Sequence, residues 1–222
     1  MVQIYPSLIA ADMLNLEKEI QKLDPYVNGY HLDIMDYHFV RNLTFGPDTV
    51  NAVRRITDKP LYVHLMVDYP ERYFERMKLH PHDIVAIHPE SLSKKSFDAL
   101  TRSIISYNWH PSLALNPETP TSIIQTLTTP LSHLLLMSVS PGFSGQKFMP
   151  RVFEKMREVL LLEKTFNNPF IIAIDGGINQ DNAKALVQEG ANQLIIGSAL
   201  FSKNDPLEAL FTLQSSLKSS QK

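Results

Sequence analysis

The chain has 222 residues, enough for one domain with a full core, and its 44% hydrophobic and 20% charged content points to neither disorder nor a fibre. A formal net charge of -2 without a long Lys/Arg run argues against tracking along a nucleic-acid backbone. There is no cysteine, which excludes disulfides, thiolate nucleophiles and sulfur-held metals.

Short apolar runs recur along the chain at Val2–Ser7, Gly29–Ile34, Pro60–Met66, Asp83–His88, Ser112–Asn116, Leu134–Ser138, Phe170–Ile174 and Gln193–Ile196. Each reads as a buried strand, and amphipathic stretches between them read as helices. Asp12 or Asn15 opens the first of these, with Leu16, Ile20 and Leu23 on one face, while Pro47, Pro70 and Pro120 mark first turns of later ones. Eight strands, each followed by a helix, predict an α/β fold of the (β/α)₈ TIM-barrel class spanning residues 1–222 as one domain, with 215–222 as a polar tail. A doubly wound open sheet would call for a glycine fingerprint after the first strand, where this chain has Pro6-Ser7-Leu8-Ile9-Ala10. The N-terminus lacks a basic region followed by an apolar stretch, and apolar runs such as Leu134–Met137 are too short to span a bilayer. The expectation is a cytoplasmic protein with neither membrane nor nucleic-acid partner, its oligomeric state left open.

His31 and Asp33 are two apart on one strand and so share a face, about 6.6 Å apart along the backbone. In a barrel that face is the interior, and the C-terminal rim gathers catalytic groups. His64 closes the third strand and Asp175 closes the seventh, so four groups that can hold a divalent metal converge at one rim. Such a ligand set suits Zn, Fe(II), Mn or Co. A lone His or Asp at a strand end is commonly a satisfied polar residue, which is how His38, His80, His82, His110 and His133 read; His88 also ends a strand. Met35, Met66 and Met137 lie at strand ends as core packing or as a water-poor lining.

Of eight glycines, Gly142, Gly145, Gly176, Gly177 and Gly197 fall in the loops after the sixth, seventh and eighth strands. Those loops, Ser140-Pro141-Gly142-Phe143-Ser144-Gly145-Gln146, Asp175-Gly176-Gly177-Ile178 and Ile196-Gly197-Ser198-Ala199, let backbone N–H groups approach an anion. No Walker-type loop is present, so no nucleotide cofactor is expected.

Taken together, Pro6-Ser7-Leu8, His31-Leu32-Asp33-Ile34-Met35-Asp36, His38-Phe39-Val40, Asn42-Leu43-Thr44-Phe45-Gly46, His64-Leu65-Met66-Val67, Pro141-Gly142-Phe143, Gly145-Gln146 and Asp175-Gly176-Gly177-Ile178 resemble the ribulose-phosphate 3-epimerase family over nearly the whole chain. The resemblance implies an isomerase with one divalent metal held by His31, Asp33, His64 and Asp175. It makes Asp33 and Asp175 the acid/base pair. A small sugar phosphate would be contacted by Ser7, His64, Gly142, Phe143, Ser144, Gly145, Gly176, Gly177, Gly197 and Ser198, and lined by Met35, Met66 and Met137. The implied reaction is inversion at carbon 3 of a phosphorylated ketose, D-ribulose 5-phosphate to D-xylulose 5-phosphate, in the pentose phosphate pathway.

Within this resemblance the family's usual Asp-Gly-His-Phe-Val-Pro-Asn reads Asp36-Tyr37-His38-Phe39-Val40-Arg41-Asn42, and a side chain at position 37 predicts a reshaped loop. His88-Pro89-Glu90 and Asn116-Pro117-Glu118 are similar to the allulose-6-phosphate 3-epimerase branch, which leaves D-allulose 6-phosphate as an alternative substrate. A sugar-phosphate-binding paralogue without turnover is the non-enzyme alternative. Decarboxylases of similar size carry a lysine in the second-strand motif, and His31-Leu32-Asp33-Ile34-Met35-Asp36 has none.

Overall fold

Alternation of side chains across each strand decides the architecture. On β2 (Tyr30–Met35) and β3 (Leu61–Met66) every residue is buried. Leu32, Ile34, Val63 and Leu65 pack outward against helices, while His31, Asp33, Met35, Tyr62, His64 and Met66 face the opposite way. A strand buried on both faces belongs in a parallel sheet covered by helices.

The computed structural model describes residues 2–92, 94–129, 131–166 and 169–218. In it, β1 (Gln3–Pro6), β2, β3, β4 (Ile84–Ile87), β5 (His110–Leu115), β6 (His133–Met137), β7 (Ile171–Asp175) and β8 (Gln193–Ile196) form one parallel sheet, and each expected strand is present within two residues of its predicted ends. Neighbouring strands pair in the order β1-β8-β7-β6-β5-β4-β3-β2, and the sheet closes where β1 meets β2. The chain is therefore a (β/α)₈ barrel.

Closure rests on a short seam. Ser7 and His31 form an isolated parallel bridge, and the Asn28 N–H donates to the Ile4 carbonyl at 3.0 Å. Gly29 makes this seam feasible: a Cβ there would lie 2.3 Å from the Pro60 carbonyl oxygen and 2.4 Å from the Tyr5 ring. The barrel interior is filled by Tyr5 and Tyr62, edge to face with centroids 5.9 Å apart, against Ala86, Ala114 and Ala173. Large rings opposite small alanines keep the centre packed rather than porous.

Helices α1 (Leu16–Leu23), α2 (Pro47–Arg54), α3 (Glu71–Phe74), α4 (Lys94–Ser106), α5 (Val152–Phe166), α6 (Gln180–Gln188), α7 (Ser198–Phe201) and α8 (Pro206–Lys218) surround the sheet. Asp12 caps a 3₁₀ turn that leads into α1, and Pro47 is the first residue of α2. Pro120 instead precedes a 3₁₀ segment, Thr121–Thr126, so the helix expected after the fifth strand is not α-helical. Its sequence, Thr-Ser-Ile-Ile-Gln-Thr, is mostly β-branched or hydroxylated and favours a full α-turn poorly.

The tail expected from Ser215 is also different. Leu210, Leu213 and Leu217 hold α8 against the core, which keeps it helical to Lys218; residues 219–222 lie outside the described residues. No helix among the described residues is long and apolar enough to cross a membrane.

Candidate metal centre and substrate cleft

The C-terminal ends of β2, β3 and β7 bring the four predicted ligands together. One donor atom from each of His31, Asp33, His64 and Asp175 lies within 4.8 Å of the others. Register explains this convergence: Asp33 pairs with His64 across β2 and β3, and Asp175 sits level with Met137 on β6. Both histidine rings are wholly buried, and Asp33 is nearly so.

Hydrogen bonding fixes how His31 presents itself. The Ser7 hydroxyl donates to Asp33 Oδ2 at 3.0 Å, so it can only accept from His31 Nδ1–H, 3.1 Å away. In the neutral ring the other nitrogen then carries a lone pair. Nε2 is buried without a hydrogen-bond partner and lies 3.8 Å from Asp175 Oδ2. A buried, unpartnered nitrogen beside two enclosed carboxylates fits a cation as the missing partner.

The electrostatics agree with that fit. Burial disfavours a charged His31, yet Asp33 and Asp175 outweigh it and raise the pKa of the ring. Burial also pushes the Asp175 carboxyl up to about 7, opposed by the His31 charge and reinforced by that of Asp33. Burial raises Asp33 too, but the His31 charge and hydrogen bonds from His31 and His64 reverse this and hold it well below the usual carboxylate range. Two adjacent carboxyls thus differ in proton affinity, as an acid/base pair requires.

Above this cluster opens a cleft with Asp33 and Asp175 in its wall. Its lining includes the predicted Ser7, Met35, Met66, Met137, Gly142, Phe143, Ser144, Gly145, Gly176, Gly177, Gly197 and Ser198. His31 and His64 contribute from behind the carboxylates rather than from the lining itself. Ile9, Val139, Ile178 and Ile195 add apolar walls that residue chemistry alone did not single out.

The loop after β7 needs its glycines. Gly176 has φ 117° with Val139 Cγ2 2.4 Å from where a Cβ would sit, and Gly177 has φ 62° with the Phe148 nitrogen at 2.7 Å. Across the cleft, Asn42 Nδ2 donates to the Gly142 carbonyl at 2.6 Å and ties the loop after β2 to the loop after β6.

The backbone at position 37 is held in place by a local hydrogen-bond network. Tyr37 adopts φ 67°, a left-handed conformation that favours glycine. Its N–H donates to the Asn42 carbonyl at 2.9 Å, while Asp36 Oδ1 accepts from the His38 and Phe39 N–H groups. This network imposes the backbone conformation on a tyrosine whose side chain is largely exposed.

His88 proves to belong to the cluster's surroundings. Its Nε2 lies 2.8 Å from His64 Nε2, a contact hidden by 24 residues of sequence separation. His82, His110 and His133 gather instead at the N-terminal end of β4–β6, far from this rim in the barrel; His82 Nδ1 and His110 Nε2 are 3.1 Å apart.

Known proteins with similar sequences point the same way. A family model described as "Ribulose-phosphate 3 epimerase family" matches residues 3–201. Ribulose-phosphate 3-epimerase from Bacillus subtilis is 35% identical over 97% of this chain and 100% of its own length. The protein of that name from Methanocaldococcus jannaschii is 36% identical, covering 96% of this chain and 90% of the relative. Among solved structures, KGPDC from Streptococcus mutans superposes with a TM-score of 0.69 at 13% identity, covering 100% of this chain and 100% of that one. The last similarity speaks to the fold alone.

Proposed function

Because the chain belongs to the ribulose-phosphate 3-epimerase family, we propose that it converts D-ribulose 5-phosphate to D-xylulose 5-phosphate by inverting carbon 3. The observation that carries this reading is the pair Asp33 and Asp175, which line one cleft and whose ligand atoms lie within 4.8 Å of each other and of those of His31 and His64. A carbon-bound proton next to a ketone is a weak acid, and its removal leaves an enediolate. One aspartate takes the proton from one face of the sugar and the other returns a proton to the opposite face, so the centre inverts. Two bases make the exchange possible without rotating the substrate.

A divalent cation of the Zn, Fe(II), Mn or Co class, held by His31, Asp33, His64 and Asp175, supplies Lewis-acid stabilisation of the developing negative charge. Ser7 orients both His31 and Asp33 through its two contacts. Met35, Met66 and Met137 keep that end of the cleft poor in water, which strengthens every charge interaction within it.

The sugar's phosphate is assigned to the other end, against the backbone of Gly176, Gly177, Gly197 and Ser198. The loop Gly142-Phe143-Ser144-Gly145 covers it. Binding energy from the phosphate positions carbon 3 without taking part in the proton transfers.

Parallel assays with ribulose 5-phosphate and allulose 6-phosphate test the substrate assignment. The expected result is a kcat/KM at least tenfold higher for the pentulose. A preference for the hexulose would overturn the sugar assigned here, and turnover of neither by metal-loaded protein would overturn the reaction.

A further inference from the structure

A second line of polar groups leads from the cluster past the C-terminal end of β4. His64 Nδ1 faces Asp33 Oδ1 at 3.1 Å and Asp175 Oδ2 at 3.7 Å, while its Nε2 meets His88 Nε2 at 2.8 Å. Both rings are wholly buried and meet edge to edge, with centroids 5.0 Å apart and planes 30° apart. His88 Nδ1 in turn faces Glu90 Oε2 at 3.5 Å. Glu90 accepts from the Thr119 hydroxyl and, at 3.4 Å, from the Asn116 N–H. Lys155 fixes that loop by donating to the carbonyls of Asn116 and Thr119.

Only one proton fits between the two Nε2 atoms, so the rings have two self-consistent arrangements when both are neutral. In one, His88 donates to His64, and His88 then turns the bare lone pair of Nδ1 toward the Glu90 carboxylate. That juxtaposition is repulsive. In the other, His64 donates to His88, whose own proton sits on Nδ1 and points at Glu90. This second arrangement points a proton at Glu90 and turns the His64 Nδ1 lone pair toward Asp33 Oδ1 and Asp175 Oδ2; a cation between them makes that juxtaposition favourable, in place of the hydrogen bond that Nδ1–H gives Asp33 in the metal-free site.

We propose that Glu90 and His88 are positioning residues that hold His64 in its Nε2–H tautomer and so present Nδ1 to a divalent cation. The inference rests on the metal-bound reading above and extends it to two residues outside the ligand set. A carboxylate behind a ligating imidazole fixes ring orientation and raises ligand basicity; here the effect passes through a second imidazole. Thr119, Asn116 and Lys155 keep the carboxylate end of the chain in place.

Zinc titration against a competing chelator, together with long-range ¹H–¹⁵N spectra of the histidine rings, tests the proposal without an activity assay. Wild-type protein should bind one zinc, with His64 protonated at Nε2 and His88 at Nδ1. Glu90→Gln should weaken zinc binding by about 10- to 100-fold while its metal-free melting temperature stays close to wild type. His88→Gln should weaken it similarly. Unchanged zinc affinity in both variants would overturn the positioning role alone. So would a zinc-loaded wild type with His88 protonated at Nε2, a result that requires no variant. Wild-type protein that takes up no zinc, manganese, cobalt or Fe(II) would overturn the metal reading and this inference with it.

Discussion

Ser7 and His31 face each other across the seam where the barrel closes, joined as an isolated strand bridge and by a 3.1 Å contact between Oγ and Nδ1. The same hydroxyl donates to Asp33, so one serine ties barrel closure to the orientation of two cluster residues. Ser7→Ala should therefore weaken zinc binding by about 10-fold or more. Its effect on unfolding free energy should remain within about 1–2 kcal/mol, the scale of lost hydrogen bonds. Chelator competition and urea unfolding measure the two effects; unchanged metal affinity would remove Ser7 from the orienting role.

Asp175 is a poor contributor to metal-free stability, because burial pushes its carboxyl up to about 7. Asp175→Asn should leave the metal-free fold as stable as wild type or slightly more so. Turnover should fall by about 10²–10⁴-fold, the usual contribution of an acid/base group, and Asp33→Asn should do the same. Steady-state kinetics on metal-saturated variants gives the answer, and an active Asp175→Asn protein would remove Asp175 from the acid/base pair.

Tyr37 holds a left-handed backbone conformation that costs an ordinary residue about 1–2 kcal/mol. Glycine at that position relieves the strain but adds about 0.5–1 kcal/mol of unfolded-chain entropy. Tyr37→Gly should thus stabilise the protein by up to about 1 kcal/mol in equilibrium denaturation. A clear loss of stability would mean that the tyrosine ring makes contacts that outweigh its backbone strain.

His133 provides a pH test remote from the cluster. Burial, with a smaller contribution from the His110 charge, lowers its pKa to about 4 from an unfolded value near 6.5. Above pH 6.5 the ring is neutral in both states and stability is unaffected. As pH falls from 6.5 to 4 the unfolded chain takes up the proton and the folded one does not, so stability is lost; below 4 the loss levels off. His133→Asn should reduce the stability lost between pH 7.5 and 4.5 by about 2 kcal/mol relative to wild type. Parallel curves for the two proteins would show that His133 is not held neutral.

The strands and the four-residue cluster are legible in the sequence because alternation on β2 and β7 puts His31, Asp33 and Asp175 on the inner face. A strand end in a barrel is also a rim position. The glycine loops are legible for a similar reason, since Gly176 and Gly177 sit where no Cβ fits. What escapes depends on partners remote in sequence. His88 reads as one more strand-end histidine until β3 and β4 pair and bring it against His64. The 3₁₀ segment at Thr121–Thr126 escapes because its β-branched and hydroxylated residues outweigh the helix-start proline, and the positive φ of Tyr37 escapes because local hydrogen bonding outweighs residue type.

Proton exchange at carbon 3 tests the proposed reaction most directly. Metal-loaded protein incubated with ribulose 5-phosphate in D₂O should yield xylulose 5-phosphate carrying deuterium at carbon 3 in the NMR spectrum, and stripping the metal should stop both exchange and epimerisation. Xylulose 5-phosphate that forms with protium retained at carbon 3 under complete conversion, or exchange that persists at full rate after the metal is removed, would contradict a metal-assisted two-aspartate inversion.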